Sequence, residues 1–304
     1  MNPPKYYLKI LYNNPIEFYS KTKGVIASYL LKFNKYKSND SIEEINRNWR
    51  SYSYLKNKYK KYLDNLPTYK EWKERENIIR RCWLQWEENA PKFNKSCLKS
   101  VRKYVKDKNI IVIDESNINE YVKFPSYIIK KYKKGIISKT HFSDLIRLEL
   151  LINYWWTWID STVLLTDYQK VFFDSVFFVF NNFHRGDESI ALSSRFITSN
   201  KNNPILLATR DLLYKYWENN DYLLHYLLFH LFFTLAIEKY PEIWNKIPKY
   251  SNIPPHIMQY EFLWSFKEER FEQLKNISSI HKLTHKIDRK KLSKNSLFEY
   301  IENM

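Results

Sequence analysis

The stretch LLINYWWTWIDSTVLLT, residues 150–166, decides the fold because it joins a helical pattern to an extended one. Apolar residues before it recur at helical spacing, whereas TWIDSTVLL (157–165) is typical of a buried strand. The change predicts a tight reversal at Trp155 and Trp156. Reversals of this kind usually take glycine, which reaches positive φ without steric cost. Two tryptophans at such a junction are therefore anomalous.

Segments of alternating extended and helical character flank this stretch. Strands are predicted at 78–85, 109–115, 157–165, 171–180 and 189–199. Helices are predicted at 94–104, 125–134, 138–154, 204–218 and 222–239. This β-α-β order predicts an α/β domain over residues 76–304, with a mostly parallel sheet layered by helices. Ligands of such sheets bind beyond the carboxyl ends of the strands.

Residues 1–75 are predicted to form a helical, basic N-terminal annex, with helices near 15–33 and 42–63. Its stretch NRNWRSYSYLKNKYKKYLDNL (46–66) interleaves cations with aromatic side chains. One interpretation is a helix that binds nucleic acid or a membrane surface. The other is a solvated helix whose aromatic stripe docks on the core.

The composition indicates a folded protein with anionic partners. Of 304 residues, 44% are hydrophobic and 18% aromatic, which is enough to fill a core. Lysine and arginine number 50 against 33 aspartate and glutamate, giving a net charge of +17. That charge favours nucleotides, phosphates, an acidic membrane surface or nucleic acid, and does not choose among them.

The sequence predicts a cytoplasmic protein without a membrane-spanning helix. No secretory signal opens the chain, and Cys82 and Cys97 have no neighbours at metal-site spacing. The most apolar run, Tyr222–Ile237, is shorter than the ~20 residues of a membrane helix and contains His225 and His230. We therefore expect a core helix there, with His230 as a core histidine.

Two groups of polar residues are candidates for a site. Asp160 follows a hydrophobic strand, and Thr162, two residues on, faces the same side of an extended chain. Asp144 and Arg147 share one helical face at i, i+3 spacing. These groups suit a ribose, a sugar or a cation bound to diphosphate. The alternatives are a structural aspartate and a surface ion pair worth under ~1 kcal/mol.

These residues carry a resemblance. FSDLIRLELLINY (142–154) with TWIDST (157–162) resembles the SDxxR and (Y/W)xD region of the DxD-type capsular polysaccharide synthesis glycosyltransferases. CWLQWEENAP (82–91), LLHYLLFHLFF (223–233) and IHKLTHK (280–286) extend the similarity over residues 78–290. The resemblance implies a GT-A-like nucleotide-sugar-binding fold, related to mannosyltransferases and clostridial toxin glycosyltransferases.

The resemblance also implies roles for individual residues. It places Trp83 on the donor base, the catalytic pair Asp144 and Arg147 on the donor sugar and its phosphate side, and Asp160 on ribose, sugar and metal. A Mn²⁺ or Mg²⁺ ion is implied, with ligands in the DxD-like motif and the C-terminal HKLTHK stretch: Asp160, Thr162 and His281. Cations of that stretch are implied to hold the leaving diphosphate: Lys282 and Lys286, beside His285.

Three tryptophans stand where the family has glycine: Trp86, Trp155 and Trp156. The chain has 3 glycines and 10 tryptophans, whereas average usage would give roughly 21 glycines. Our hypothesis is that the source reads UGA as glycine and the gene was translated with UGA as tryptophan. The alternative is a true triple substitution. Indoles in loops that approach a nucleotide diphosphate are expected to impair activity.

The sequence thus predicts a glycosyltransferase that moves a sugar from a nucleotide-sugar donor to a capsular or cell-surface polysaccharide precursor. The expected partners are that donor, a glycan or lipid-linked acceptor, and the anionic inner face of the cytoplasmic membrane, without nucleic acid. Two alternatives stay open: a basic module that binds nucleic acid or membrane, and a catalytically impaired glycosyltransferase-like scaffold.

Overall fold

The computed structural model describes residues 10–11, 14–30, 40–69, 78–82, 90–106, 108–182 and 187–304. Its strands are β1 Ile78–Cys82, β2 Asn109–Ile113, β3 Trp156–Asp160, β4 Val163–Leu165, β5 Phe177–Asn181, β6 Leu192–Ser199 and β7 Ile280–Lys282. Its helices are α1 Pro15–Leu30, α2 Asp40–Asp64, α3 Lys92–Tyr104, α4 Ile118–Tyr121, α5 Ser126–Lys133, α6 Lys139–Asn153, α7 Lys170–Asp174, α8 Pro204–Asn219, α9 Leu228–Lys239, α10 Pro241–Lys246, α11 Pro254–Tyr260, α12 Glu268–Ile277 and α13 Leu297–Glu302.

The main sheet has five strands in the order β2-β1-β3-β6-β5. β1 pairs in parallel with β2 and β3, whereas β6 pairs antiparallel with β3 and β5. The α/β character is confirmed, but the sheet is mixed rather than mostly parallel. Only ten residues, 182–191, separate β5 from β6. A connection this short favours antiparallel pairing, because parallel neighbours need a longer crossover.

The predicted strand 157–165 is two strands separated by a turn. β3 ends at Asp160, and β4 starts at Val163 and pairs antiparallel with β7 in a separate two-stranded sheet. Asn94 of α3 fixes the turn by donating to the carbonyl and hydroxyl oxygens of Ser161, each at 3.2 Å. The turn leaves Asp160 at the carboxyl end of β3.

Two further predicted elements differ in type or length. The strand expected at 171–180 is α7 followed by β5, because an apolar run fits either period and Phe172 and Phe173 are both buried in the helix. The helix expected at 222–239 begins only at Leu228. In the segment before α9, Nδ1 of His225 accepts a hydrogen bond from the backbone N–H of Leu227 at 3.0 Å. This backbone donor is therefore bonded to a side chain.

Helix α9 is a core helix, as predicted. Leu231, Phe232 and Leu235 are each at most 1% exposed. Within the described ranges, no helix combines the length and apolar character needed to cross a membrane.

Helix α2 packs on this core through apolar and aromatic side chains that alternate in sequence with its lysines and arginines. Tyr52, Leu55, Tyr59 and Leu63 are at most 5% exposed and belong to the same core as α8 and α9. The ring of Tyr59 meets Phe232 edge-on at 5.3 Å. This packing confirms the interpretation of a solvated helix docked on the core. The domain boundary at residue 75 stays a prediction.

Helix α1 approaches the segment before α9 through a glycine. A Cβ atom at Gly24 would lie 2.5 Å from the carbonyl oxygen of Leu223, which is closer than a Cβ tolerates. Glycine is therefore required here by proximity, since it lets the helix touch the main chain of Leu223 directly.

The junction between α6 and β3 accommodates its tryptophans without the expected reversal. Tyr154 has φ −132°, and positive φ occurs among the described residues only at Asn202, Asn295 and Gly135. The indole of Trp156 is 1% exposed and stacks on the Tyr154 ring at 4.3 Å. Trp155 is 4% exposed. At this junction the expectation of positive φ is therefore wrong.

We expect Trp156→Gly to lower the free energy of unfolding by about 3–5 kcal/mol or more, as loss of a buried aromatic side chain does. Trp264→Gly is the matched control, since Trp264 is 60% exposed and its loss removes little packing. Chemical denaturation measures both variants. Unchanged or increased stability of Trp156→Gly would contradict the packing argument and support glycine as the encoded residue.

Candidate active site

A cavity of about 830 Å³ opens at the carboxyl end of β3, and we call it the basin. Residues from α6, β3, β6, α11 and the β7 region line it. It brings together six charged or hydroxyl side chains from these elements and the turn after β3: Asp144, Arg147, Asp160, Thr162, Arg195 and Lys282. Trp83 and Trp86 lie outside the described residues.

Arg147 joins the two carboxylates of the basin. Its NH1 atom donates to Oδ1 of Asp144 at 2.6 Å, and its NH2 atom to Oδ1 of Asp160 at 3.4 Å. The guanidinium lies between the rings of Trp158 and Phe229, at 4.8 and 5.2 Å from their centroids. Arg147 is 4% exposed. The alternative of a surface ion pair is therefore wrong.

Helix α6 and strand β3 fix this geometry. Ser138 caps α6, its side chain accepting the backbone N–H of His141, and the i, i+3 spacing then presents Asp144 and Arg147 on one face. On β3, the indole Nε1 of Trp158 donates to Oδ1 of Asp160 at 2.8 Å. Asp160 is thereby oriented by a neighbour on its own strand.

The two carboxylates have opposite electrostatic environments. Burial alone would raise the pKa of Asp160, but Arg147, Lys282 and the Trp158 hydrogen bond outweigh it, so this pKa is lowered. Burial raises the pKa of Asp144 in spite of Arg147. Asp160 is therefore the more persistent anion of the pair.

Lys282 reaches the basin through the pairing of β7 with β4, which aligns it with Val163. Its ammonium contacts Oγ1 of Thr162 and donates to the carbonyl oxygen of Leu283 at 3.2 Å. Oδ2 of Asp160 lies 4.0 Å from the same nitrogen. His285 and Lys286 also line the basin.

His281 does not join these residues. Successive residues of a strand face opposite sides, so His281 points away from the basin when Lys282 points into it. It is 1% exposed, and its Nε2 atom lies 3.0 Å from Oγ1 of Thr166. Burial lowers the pKa of His281 to about 3. The imidazole is therefore a neutral core group.

Sequence reasoning missed Arg195 and His256. Phe196 of β6 pairs with Ile159, so Arg195 lies beside the end of β3, and it is 2% exposed. It contacts Nε2 of His256 and donates to the carbonyl oxygen of Asn252 at 2.7 Å. Burial lowers the pKa of Arg195 to about 9 and that of His256 to about 4. The available signal was an arginine directly before the apolar pair Phe196 and Ile197 of LSSRFITS.

The donor set does not fit the divalent cation that the resemblance implied. Mg²⁺ and Mn²⁺ take oxygen ligands, and Mg²⁺ at phosphate sites is usually held by one or two carboxylates together with substrate phosphates and water. Asp160 and Thr162 supply one carboxylate and one hydroxyl, both approached by the Lys282 ammonium, and His281 faces elsewhere. In the part of the chain that the structure describes, no three His, Cys, Asp or Glu side chains form a metal-holding cluster.

Fold and basin together define an α/β protein with a predominantly cationic site at the end of a central strand. A family model described as "Capsular polysaccharide synthesis protein" matches residues 31–301. The chain therefore belongs to the capsular polysaccharide synthesis protein family, as its motifs predicted.

One solved structure similar to this chain is described as "PaToxG Glycosyltransferase". The two are 15% identical with a TM-score of 0.41, over 84% of this chain and 97% of that one. No curated protein matches the chain significantly.

We expect His230, a half-buried histidine that lines the basin, to make stability pH-dependent. Burial lowers the pKa of His230 from 6.5 to about 3. Between these values the unfolded chain binds a proton that the folded one does not, so stability falls as pH falls below 6.5. The slope contributed by one histidine is about 1.4 kcal/mol per pH unit.

The variant His230→Leu should lack the contribution of this histidine to the pH dependence of the free energy of unfolding. Denaturant titrations at several pH values between 6.5 and 4 measure it for both proteins. Identical slopes would mean that His230 titrates alike in the folded and unfolded chains.

Proposed function

We propose that this protein is a glycosyltransferase with a GT-A-like fold, transferring a sugar from a nucleotide-sugar donor to a capsular or cell-surface polysaccharide precursor. The observation that carries the proposal is the basin: a carboxylate at the end of β3, flanked by Arg147 and Lys282. Membership of the capsular polysaccharide synthesis protein family supports it. A site that pairs carboxylates with cations suits a ligand that combines hydroxyl groups with phosphates.

In the proposed reaction the basin holds the donor at both ends. Asp160 and Asp144 accept hydrogen bonds from sugar hydroxyls, and Arg147 keeps both carboxylates in position. Lys282 and Lys286 face the diphosphate and stabilise the charge that develops as it departs. Transfer then relies mainly on positioning and on preorganised charge.

The proposal also covers the donor base, the acceptor, the cellular location and the three tryptophans, none of which rests on the geometry of the basin. We assign Trp83 to stacking on the donor base. We propose a glycan or lipid-linked acceptor and a cytoplasmic location at the inner face of the membrane, where acidic lipids attract a chain with net charge +17. Tryptophan at positions 86, 155 and 156 is proposed to reduce activity relative to glycine there.

The test is release of nucleotide from a panel of nucleotide sugars. We expect Asp160→Asn to lower kcat about 10²-fold or more, the usual cost of losing one preorganised electrostatic contact. Arg147→Lys should also lower kcat, because a single ammonium cannot bridge both carboxylates. Asp167→Asn is the matched control, since Asp167 is exposed and lies outside the basin.

Two results would contradict the proposal. Equal effects of Asp160→Asn and Asp167→Asn would show that the basin is not the site. Absence of nucleotide binding, together with steeply salt-dependent binding to nucleic acid or anionic vesicles, would favour the basic binding module instead.

A further inference from the structure

The ammonium of Lys282 lies beside Asp160 and Thr162. A metal ion bound to both of these side chains would occupy the same position. Lys282 Nζ contacts Oγ1 of Thr162, donates to the carbonyl oxygen of Leu283 at 3.2 Å and lies 4.0 Å from Oδ2 of Asp160. A lysine ammonium has three donors, and three oxygens surround this one. A divalent ion placed among the same oxygens would meet a like charge at close range.

One oxygen of each basin carboxylate is also committed to donors of the protein. Oδ1 of Asp160 accepts from Trp158 at 2.8 Å and from Arg147 at 3.4 Å. Oδ1 of Asp144 accepts from Arg147 at 2.6 Å. The residues that could bind a metal are therefore already neutralised by side chains of the protein.

The basin nevertheless has an excess of positive charge. Five cationic side chains line it against the two carboxylates: Lys139, Arg147, Arg195, Lys282 and Lys286. Arg195 is 2% exposed, and among the described residues its Nε atom has no hydrogen-bond partner. Burial lowers the pKa of Arg195, and the charge of Asp160 only partly opposes this effect. A buried cation that retains an unused N–H donor favours binding of an anion.

We propose that the Lys282 ammonium, with the Arg195 guanidinium beside the end of β3, replaces a divalent metal ion in neutralising the diphosphate of the donor. The inference rests on the proposed function and specifies its cofactor requirement. Donor binding and sugar transfer then proceed without added Mg²⁺ or Mn²⁺.

The transfer step balances without a metal. The bond between the anomeric carbon and the diphosphate oxygen breaks, and its electron pair stays on that oxygen. The acceptor hydroxyl oxygen forms the new bond to the anomeric carbon and loses its proton to solvent. The charge left on the diphosphate is stabilised by Lys282 and Arg195.

The experiment measures binding of nucleoside diphosphates to the full chain by calorimetry, in EDTA and in Mn²⁺, with Mn²⁺ alone as a separate titrant. We expect equal affinity in both conditions and no tight site for Mn²⁺ alone. Lys282→Met should weaken binding by about ten- to a hundredfold, as loss of a charge-assisted hydrogen bond does. Lys282→Arg should keep most of the affinity.

Two further variants sharpen the result. Lys282→Asp brings a second carboxylate towards Asp160, so it should bind Mn²⁺ and make nucleotide binding depend on it. Lys294→Met is the matched control, because Lys294 is exposed and lies outside the basin, and its affinity should equal that of the parent chain. Thermal unfolding of each variant confirms that it is folded.

Each outcome has one meaning. Loss of nucleotide binding in EDTA, or tight binding of Mn²⁺ alone to the parent chain, would overturn the inference and leave the glycosyltransferase assignment standing. Equal affinity of Lys282→Met and the parent chain would overturn it as well. No nucleotide binding in either condition would overturn the proposed function and this inference with it.

Discussion

Arg147 lies between the carboxylates of Asp144 and Asp160 with 4% of its surface exposed. Withdrawing three charges from water is costly, and good geometry must offset that cost. The alignment of α6 with β3 supplies this geometry, because one carboxylate comes from each element. The apolar residues of α6, such as Leu148 and Leu151, hold that alignment from the core side. The site therefore depends on how α6 packs against the sheet.

The sequence named several charged residues that the structure brings together in the basin. Helical spacing placed Asp144 and Arg147 on one face, and the end of a hydrophobic run placed Asp160 at the edge of a sheet. Lys282 was included among the candidate donor contacts. Each of these residues belongs to a local pattern, so its neighbours along the chain were enough to find it. Their burial was not predicted, because burial depends on residues distant in sequence such as Phe229.

The errors have a common physical origin in long-range pairing. His281 was grouped with Lys282, but the pairing of β7 with β4 turns adjacent side chains to opposite faces. Arg195 was missed because only the register of β6 against β3 brings it beside Asp160. The apolar run at 171–180 fitted a strand as well as a helix, and tertiary packing chose a helical turn followed by a strand. Strand register and tertiary packing of this kind cannot be predicted from a short segment of sequence.

Gly24 connects the N-terminal part of the chain to the site through a contact near the basin. It lets α1 rest on the main chain at Leu223, and Tyr226 and Leu227, which line the basin, follow within four residues. The family match starts at residue 31, after α1 ends. The main chain that leads to Tyr226, on the wall of the basin, is thus contacted by a helix that lies outside the matched residues. Related proteins that differ before this point can consequently differ in the width of this cavity beside Tyr226 while keeping the same charged centre.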